Sequence, residues 1–368
     1  MKDKNTTREP LFHIVKRGDL PGYRAWIIRV LSVVAALIIC ALLTMFLTHQ
    51  NPIEVYVTMI KGSFGSSRRF WMMLQNLAML LCVSLAVTPA FKMKFWNIGA
   101  EGQVLIGGLA TAACMIMLGG KIPNALLILV MIIASVVASA VWAVIPAIFK
   151  AKFNTNETLF TLMMNYVGIQ IVSYFTIVWE NPKGSGQIGI INQATHAGWF
   201  PKIGEFDYLL NVLIVFALTI VMYVYLKYSK HGYELTVVGE SENTARYIGV
   251  NVKKVIIRTM LLSGAICGIA GLLLVGSTSY TISTNTAGGR GFTAIMVSWL
   301  AKFNPIYMIL TAFLLAFLNR GANEIATVFG LDQAFSDILT GIILFFIIGS
   351  EFFINYQIKF HHSHKEVK

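Results

Sequence analysis

Long stretches without a charged residue recur along this sequence of 368 residues. A bilayer core about 30 Å thick needs roughly 20 apolar residues at 1.5 Å rise each. Because lipid offers no partner for backbone polar groups, a stretch of this length predicts a transmembrane helix. Seven stretches of at least nineteen uncharged residues occur, at 30–48, 70–91, 102–120, 122–149, 158–179, 208–226 and 259–289.

The last third of the chain continues this pattern with shorter stretches. Residues 291–301 and 303–319 carry no charge, and 333–350 is interrupted only by Asp337. Since 291–301 cannot span a bilayer alone, it predicts a short eighth segment. The sequence therefore predicts an all-α, polytopic membrane protein of about ten transmembrane segments, one or more of them short or broken.

Two clusters of glycine lie beside polar interruptions of apolar sequence, at Gly99–Gly108 and Gly288–Gly291. Paired interruptions in corresponding places are typical of transporters built from two related halves with broken helices at their centre. The similarity between the halves here is weak. The alternative is that these glycines only allow helices to pack closely against each other.

The basic residues fix a predicted topology. The net charge is +12, and segments on one side of the predicted spans hold 21 of the 29 Lys and Arg residues. This bias follows the positive-inside rule, so we expect both termini in the cytoplasm and take basicity as a sign of topology rather than of nucleic-acid binding. The expected parts are a cytoplasmic N-terminal segment at 1–29, a membrane domain at 30–354 and a cytoplasmic tail at 355–368. Within the membrane domain we name residues 180–207 the outer loop and residues 227–258 the inner loop.

Patterns for catalysis or metal binding are weak in this sequence. The four cysteines fall inside predicted spans without a metal-ligand spacing, so we expect neither disulfides nor a metal site. The sequence contains no Gly-Lys-Ser/Thr, which argues against a phosphate-binding loop for ATP. His361, His362 and His364 are interpreted as part of a basic tail. Asp332 and Asp337 are interpreted as the start of an outer helix rather than as paired catalytic carboxylates.

The most specific motif occupies residues 95–103, with the sequence FWNIGAEGQ. Asn97, Glu101 and Gln103 are costly near hydrocarbon, so each needs an internal partner or a watery cavity. The glycines on both sides of Glu101 allow backbones to approach closely or the helix to open. Taken alone, Glu101 could also be a loop carboxylate at the membrane interface.

Residues 95–103 resemble the FNIGxEGQ signature of ABC-transporter permeases of the ribose, branched-chain amino acid and nucleoside branch. Three further stretches resemble the same family in the same order: Asn156–Leu159 with Met164–Tyr166, Gly239–Val250, and Gly291–Ile295 with Asn304–Pro305. The likeness extends over about residues 70 to 320, and is greatest to nucleoside-uptake permeases and next to simple-sugar permeases. The sequence departs from the pattern at Trp96, at Thr293–Ala294 and at Trp299, which adds bulk near the expected pathway.

The resemblance implies a permease subunit of a binding-protein-dependent importer in a bacterial cell membrane. Its implied partners are separate ABC ATPase subunits, a second permease of the same or a different kind, an extracytoplasmic substrate-binding lipoprotein, a small-molecule substrate and the surrounding lipids. ATP would be hydrolysed by the partner subunits, so no cofactor is expected in this chain, and the chain is not expected to be an enzyme.

The resemblance also makes the inner loop a cytoplasmic coupling loop that docks the ATPase. Ser241 can cap a short helix there and Gly249 can end it. The residues expected to carry the docking are Gly239, Glu240, Ser241, Glu242, Arg246, Tyr247 and Gly249. Without the resemblance, a solvated loop helix would be the simpler interpretation.

The predicted substrate is an uncharged nucleoside, because the spans hold few of the cations that a phosphate would need. Arg290 alone approaches the centre of the membrane region. The residues expected along the pathway are Asn76, Asn97, Glu101, Gln103, Asn165, Arg290, Phe292 and Trp299, with amides meeting ribose hydroxyls and aromatic rings stacking on a base. Phe95 is a further aromatic candidate. The alternatives are that these side chains only pack between helices, that the substrate is a simple sugar, or that the chain is an ion-coupled secondary transporter or a membrane enzyme of lipid intermediates.

Overall fold

The computed structural model describes residues 12–18, 21–49, 51–204, 206 and 208–360. The chain divides into two compact units. One unit is formed by residues up to Gly65 together with those from Leu318 onward, and the other by Ser66–Phe317. His361, His362 and His364 lie outside the described residues.

Nine helices in the described part of the chain are long and apolar enough to cross a membrane, which confirms the prediction of an all-α, polytopic fold. These helices are α1 (Gly22–Thr48), α3 (Ser67–Lys92), α4 (Ala100–Leu118), α5 (Asn124–Phe153), α6 (Glu157–Val178), α7 (Leu209–Tyr228), α10 (Val252–Leu273), α12 (Pro305–Val328) and α13 (Gln333–Asn355). The shorter helices are α2 (Pro52–Phe64), α8 (Lys230–Glu240), α9 (Glu242–Tyr247) and α11 (Arg290–Leu300).

The helices of the first unit extend past the predicted boundaries of the membrane domain, and those boundaries stay a prediction. Helix α1 begins at Gly22, so the expected boundary at residue 29 lies inside the helix. Arg29 donates two hydrogen bonds to Glu351 of α13, at 2.9 and 2.6 Å, and so is tolerated within the helix. A charge-free stretch therefore begins later than the helix that contains it. At the other end, α13 continues to Asn355, one residue beyond the expected domain boundary.

Two further elements of this unit were not predicted from the sequence. A two-stranded antiparallel ribbon joins β1 (Phe12–Lys16) to β2 (Tyr356–Phe360). Helix α2 lies in a region that contains charges and therefore gave no span signal. Its start is nonetheless encoded locally, since Asn51 accepts the Ile53 N–H at 2.9 Å and Pro52 occupies the first turn. Asp332 caps α13, as expected for a helix start.

The second unit is built around α10, which packs against α3, α4 and α5. Small residues set the close approach, since a Cβ at Gly268 would lie 2.5 Å from the Ser135 carbonyl oxygen of α5, and one at Gly107 would lie 2.8 Å from the Gly268 Cα. A Cβ at Gly271 would collide with the Val104 carbonyl oxygen of α4. The alternative interpretation, that these glycines let helices pack closely, is therefore confirmed for Gly107. Small residues are typical of helix interfaces in membranes.

The prediction of broken helices is also confirmed in this unit. Residues 93–99 between α3 and α4 are not helical, and neither are residues 280–289 before α11. Helix α11 spans only 11 residues, about 16 Å of rise, which is roughly half of a bilayer core. The relation between two halves of the chain stays a prediction.

Helix α11 begins in the middle of α3 rather than at its end. Arg290 donates to Asn76 Oδ1 of α3 at 3.1 Å, while Ser298 and Thr88 share a hydroxyl hydrogen bond of 2.8 Å further along both helices. The two helices therefore run parallel, and α11 accompanies the second half of α3. This register places the start of α11 inside the membrane-spanning part of the unit.

Helix α10 ends in a π-helical turn at Leu274–Ser279, which the sequence did not predict. Two hydroxyls stabilise the wider turn by bonding carbonyls five residues back, Thr278 to Leu273 at 3.1 Å and Ser279 to Leu274 at 2.9 Å. Just beyond this turn, Tyr280 stacks on Trp199 of the outer loop at 3.8 Å between ring centroids. Such turns occur often at functional sites.

Candidate functional site

The carboxylate of Glu101 joins the two interruptions of the fold. Its Oε1 accepts the Gly289 N–H at 2.8 Å and its Oε2 accepts the Gly291 N–H at 2.7 Å. These two N–H groups stand at the start of α11, where a helix has unpaired donors and a partial positive charge. Glu101 is buried, so the sequence prediction of a buried carboxylate with polar partners is confirmed. The partners are backbone groups rather than side chains.

The close contact between the two interruptions requires glycine at position 291. A Cβ there would lie 2.5 Å from the Glu101 nitrogen and 2.8 Å from its Oε2. Arg290, between the two bonded N–H groups, directs its guanidinium away to the Ala287 carbonyl and to Asn76 Oδ1, each at 3.1 Å. The structure thus brings together Asn76, Glu101 and Arg290, three residues that the sequence assigned to the pathway.

Asn97 and Gln103 form a buried polar cluster of their own. Gln103 donates to Asn97 Oδ1 at 3.2 Å, and Asn97 donates to Ser263 Oγ of α10 at 3.1 Å. Ser139 of α5 donates to the Gln103 carbonyl at 2.8 Å. These contacts hold the non-helical segment 93–99 against α5 and α10. Both amides are buried and bonded within the protein, so their role as substrate contacts stays a prediction.

Asn165 fixes α6 to the same non-helical segment. Its Oδ1 accepts the Gly102 N–H at 2.8 Å, and its amide donates to the Ile98 carbonyl at 2.7 Å. One amide side chain therefore satisfies a donor and an acceptor that the break in the helix leaves unpaired. Asn165 is buried, and its contact with a substrate likewise stays a prediction.

The aromatic candidates divide into exposed and buried rings. Phe292 and Trp299 on α11 are 44% and 48% exposed, whereas Phe95 is 3% exposed and packs in the core. Trp299 lies 5.3 Å from Trp96 between ring centroids. The two bulky departures from the family pattern are therefore in contact with each other.

A second polar cluster lies beside the π-helical turn, and its residues were not among those assigned to the pathway from the sequence. Asn211 of α7 donates to Gln75 Oε1 of α3 at 3.0 Å, and Gln75 donates to Thr278 Oγ1. Gln75 and Asn211 are buried within predicted spans. Gln75 and Asn211 are amides in apolar stretches, which is the signal that could have identified them, whereas Thr278 resembles an ordinary helix residue.

The inner loop contains the expected short helix. Ser241 accepts the Thr244 N–H at 3.2 Å and caps α9, and Gly249 follows the helix with a φ of 84°. Gly239 lies so close to the Lys92 carbonyl oxygen at the end of α3 that a Cβ would collide with it. The loop is therefore in direct contact with the helix that carries Asn76 and accompanies α11.

The surface of this loop is polar with one exposed ring. Arg246 bonds Glu242 at 3.1 Å across one helical turn, and Glu240 is exposed. Tyr247 is 93% exposed, so its ring is available to a partner protein. The docking role of these residues is a prediction that the geometry of the loop permits.

A partly buried ion pair fastens the inner loop to α10. Arg258 of α10 donates to Glu234 of α8 at 2.7 Å. This hydrogen bond lowers the pKa of Glu234 below its usual value, against the opposing effect of desolvation. Within the described residues, no group of three or more His, Cys, Asp or Glu side chains could hold a metal ion.

The sequence of this chain is similar to those of several transport permeases. A family described as the branched-chain amino acid transport system permease component matches residues 70–348. A glucose ABC transporter permease of Haloferax volcanii is 28% identical over 93% of this chain and 92% of its own length. A guanosine ABC transporter permease of Bacillus subtilis is 27% identical over 84% of this chain and 89% of its own, and a nucleoside ABC transporter permease of Lactococcus lactis is 25% identical over 81% and 84%.

Proposed function

Because this chain belongs to the family of branched-chain amino acid transport permease components, and is a multi-pass permease subunit of an ABC importer, we propose that its substrate is an uncharged nucleoside. Two of the relatives are named for guanosine and for nucleosides. Their sequences align with most of this chain, including the stretch around Glu101. The charge arrangement at Glu101 supports the same substrate class independently of these names.

The observation that carries the proposal is the occupation of the start of α11 by Glu101. In transporters with broken helices, the N-terminus of a half-helix is the place where an anionic substrate group is held. Here both accessible N–H groups bond a carboxylate of the chain itself, and Arg290 is directed to Asn76 and Ala287. An anionic substrate would have to displace Glu101, whereas a neutral one would not.

A simple sugar is the second candidate. The relative from Haloferax volcanii is named for glucose and is 28% identical over 353 residues. Glucose is also uncharged, so the arrangement at Glu101 accommodates it equally. The exposed rings of Phe292 and Trp299 favour a substrate with an aromatic base, because such rings stack on the flat face of a base.

We further propose that a separate ATPase binds the inner loop around Tyr247. An exposed aromatic ring surrounded by charges is the usual composition of an interface centre and its rim. Closure of the ATPases would move α8 and α9, and the contact of Gly239 with Lys92 would pass this movement to α3. Alternating access would follow from the motion of α3 with α11. The chain would hold no cofactor, since ATP would bind the partner subunits.

A second permease would cover the exposed face of α6. Tyr166, Gln170 and Tyr174 form an exposed stripe at intervals of four residues, and Gln170 lies near the middle of this candidate span. An amide that faces lipid is costly, whereas a helix from another subunit can satisfy it. In this arrangement both termini lie in the cytoplasm, and a substrate-binding lipoprotein delivers substrate at the outer loop.

Uptake by cells that depend on this transporter tests the substrate. Labelled guanosine should accumulate, and its uptake should fall with excess unlabelled nucleoside but not with excess nucleotide. Glucose or ribose uptake that is insensitive to excess nucleoside would shift the assignment to the sugar candidate. Competition by nucleotides would contradict the argument from Glu101.

A further inference from the structure

The segment between the π-helical turn and α11 is polar and non-helical. Residues 281–289 have the sequence TISTNTAGG. Five of the first six residues are Ser, Thr or Asn, and the sixth is Ile282. From the sequence alone, only the glycines at the end of this segment were assigned significance. Its remaining polar residues have not been assigned a role by the fold or by the proposed function.

This segment runs beside the first half of α4. A Cβ at Gly108 would lie 3.4 Å from Ile282 Cδ1, and the Gly289 N–H bonds Glu101. Gly108 and Glu101 are seven residues apart on α4, a distance of about 10 Å along the helix. The segment runs from Tyr280, which contacts the outer loop, to the start of α11 in the middle of α3, so its later residues lie within the membrane-spanning part of the unit.

One side of the segment is packed and the other is open. Ile282 and Ala287 are each 1% exposed, whereas Asn285 is exposed. Thr286 accepts the Ser283 N–H at 2.8 Å and thereby forms the turn that carries the residues between them. Those residues are Thr284 and Asn285, whose side chains make no hydrogen bond to any described residue.

Irregular backbone at membrane depth occurs only where it is buried in protein or lines a watery cavity. The packed side of this segment satisfies the first condition. Lipid is excluded as the neighbour of Asn285 on the open side, since hydrocarbon offers an amide no hydrogen-bond partner. The open side therefore faces either a watery pathway or another subunit, and these two neighbours are distinguished by labelling in the assembled transporter.

We propose that Thr284 and Asn285 form the hydrogen-bonding wall of the substrate pathway and bind hydroxyl groups of the substrate, a proposal that rests on the proposed function. An alcohol both donates and accepts hydrogen bonds, and so do an amide and a hydroxyl side chain. The nearby charged groups already have hydrogen-bond partners, Glu101 at the start of α11 and Arg290 at Asn76. The wall is thus suited to a neutral, hydroxyl-bearing ligand.

Cysteine labelling of the assembled transporter in membrane vesicles tests the exposure of this wall. Asn285→Cys and the buried control Ala287→Cys would be made in a Cys114→Ser background, because the remaining cysteines are buried. A water-soluble maleimide should modify Asn285→Cys about tenfold faster than Ala287→Cys, since only an accessible thiolate reacts. Guanosine should slow this reaction. Equal rates, or no reaction at position 285, would overturn the proposal.

Substrate selectivity tests the hydroxyl contact separately. Uptake of guanosine would be compared with uptake of its 2′-deoxy and 3′-deoxy analogues in the wild type and in each variant. The binding protein that delivers the substrate is the same in every case, so its own selectivity does not affect the comparison between variants. Asn285→Ala should slow guanosine uptake about 2–10-fold, the range of one lost hydrogen bond, and should leave one deoxy analogue unchanged. The control Thr286→Val should slow all three alike, because Thr286 shapes the turn.

The outcomes separate this proposal from the proposed function. If Asn285→Ala slows all three substrates equally or none of them, the hydroxyl contact is wrong while nucleoside import stands. If the wild type transports no nucleoside, the proposed function is wrong. The labelling of Asn285→Cys would still decide whether the wall faces water.

Discussion

Glu101 and Gly291 are 190 positions apart in the chain, yet the Glu101 carboxylate accepts the Gly291 N–H at 2.7 Å. The same carboxylate accepts the Gly289 N–H, so one side chain closes the start of a half-helix that begins at membrane depth. The contact therefore joins the stretch around residue 101 to the stretch around residue 291, the two interruptions of apolar sequence.

Removal of this carboxylate should disable the protein. Glu101→Ala removes the acceptor of the Gly289 and Gly291 N–H groups, and the loss at the buried Gly291 should cost about 1–3 kcal/mol. Glu101→Gln restores only one acceptor and turns an NH₂ group toward the second N–H, so it should be intermediate rather than harmless. Transport and the melting temperature of the purified protein should both fall in the order wild type, Gln, Ala. Normal transport by the alanine variant at normal abundance would refute this role.

The contact between the inner loop and α3 can be tested at Gly239. In Gly239→Ala the new Cβ would collide with the Lys92 carbonyl oxygen, so α8 must move away from α3. We expect the chain to fold but to transport poorly, with ATP hydrolysis that no longer responds to substrate. Gly349→Ala is the matched control, because a Cβ there meets nothing within 4 Å. Equal transport by both variants would mean that this contact transmits nothing.

Tyr247 should anchor the ATPase. Tyr247→Ala is expected to reduce co-purification of the ATPase subunits strongly, since an interface aromatic contributes about 2 kcal/mol or more. The stability of the permease itself should not change, because the ring is 93% exposed. Tyr233→Ala, at a tyrosine of α8 that is 62% exposed, serves as the control. If both variants retain the ATPase equally, the docking surface lies elsewhere.

The Glu234–Arg258 pair should make stability depend on acid pH. The folded-state pKa of Glu234 is lowered from its usual value of 4.5, so the pair contributes stability above that pH and loses it as the pH falls through the folded-state pKa. The contribution should be about 1 kcal/mol or less, because the pair is partly exposed. Melting temperatures of the wild type and Glu234→Gln should differ at neutral pH and converge below pH 4.5. A constant difference would show that the ionised pair contributes nothing.

Much of the membrane architecture was predictable because lipid imposes a strong constraint on composition. Spans in the stretches 70–91 and 259–289 were identified because hydrocarbon excludes charge, although the second span ends at Ser279. Glu101 was identified because a carboxylate in such surroundings needs partners. The constraint fails where charge is tolerated. Arg29 is paired with Glu351, so α1 begins before the charge-free stretch at 30–48. Helix α2 contains Glu54 and Lys61 and therefore gave no charge-free stretch.

Partners across the fold could not be predicted from local sequence. That Glu101 binds backbone N–H groups of α11, rather than a side chain, depends on the register of α11 against α3. The sequence correctly indicated that three amides, Asn97, Gln103 and Asn165, need polar partners. Whether each amide bonds another helix or a substrate depends on how α5, α6 and α10 pack around it, and local sequence does not determine that packing. The polar residues Thr284 and Asn285 became noticeable only when their backbone proved irregular at membrane depth.

The most direct test of the account is nucleoside uptake by proteoliposomes that contain this chain with its ATPase and binding-protein partners. The account predicts uptake of labelled guanosine that requires ATP on the inner-loop side, ceases with a hydrolysis-deficient ATPase, and does not respond to a proton or sodium gradient. Uptake by this chain alone, driven by an ion gradient without the ATPase, would contradict it.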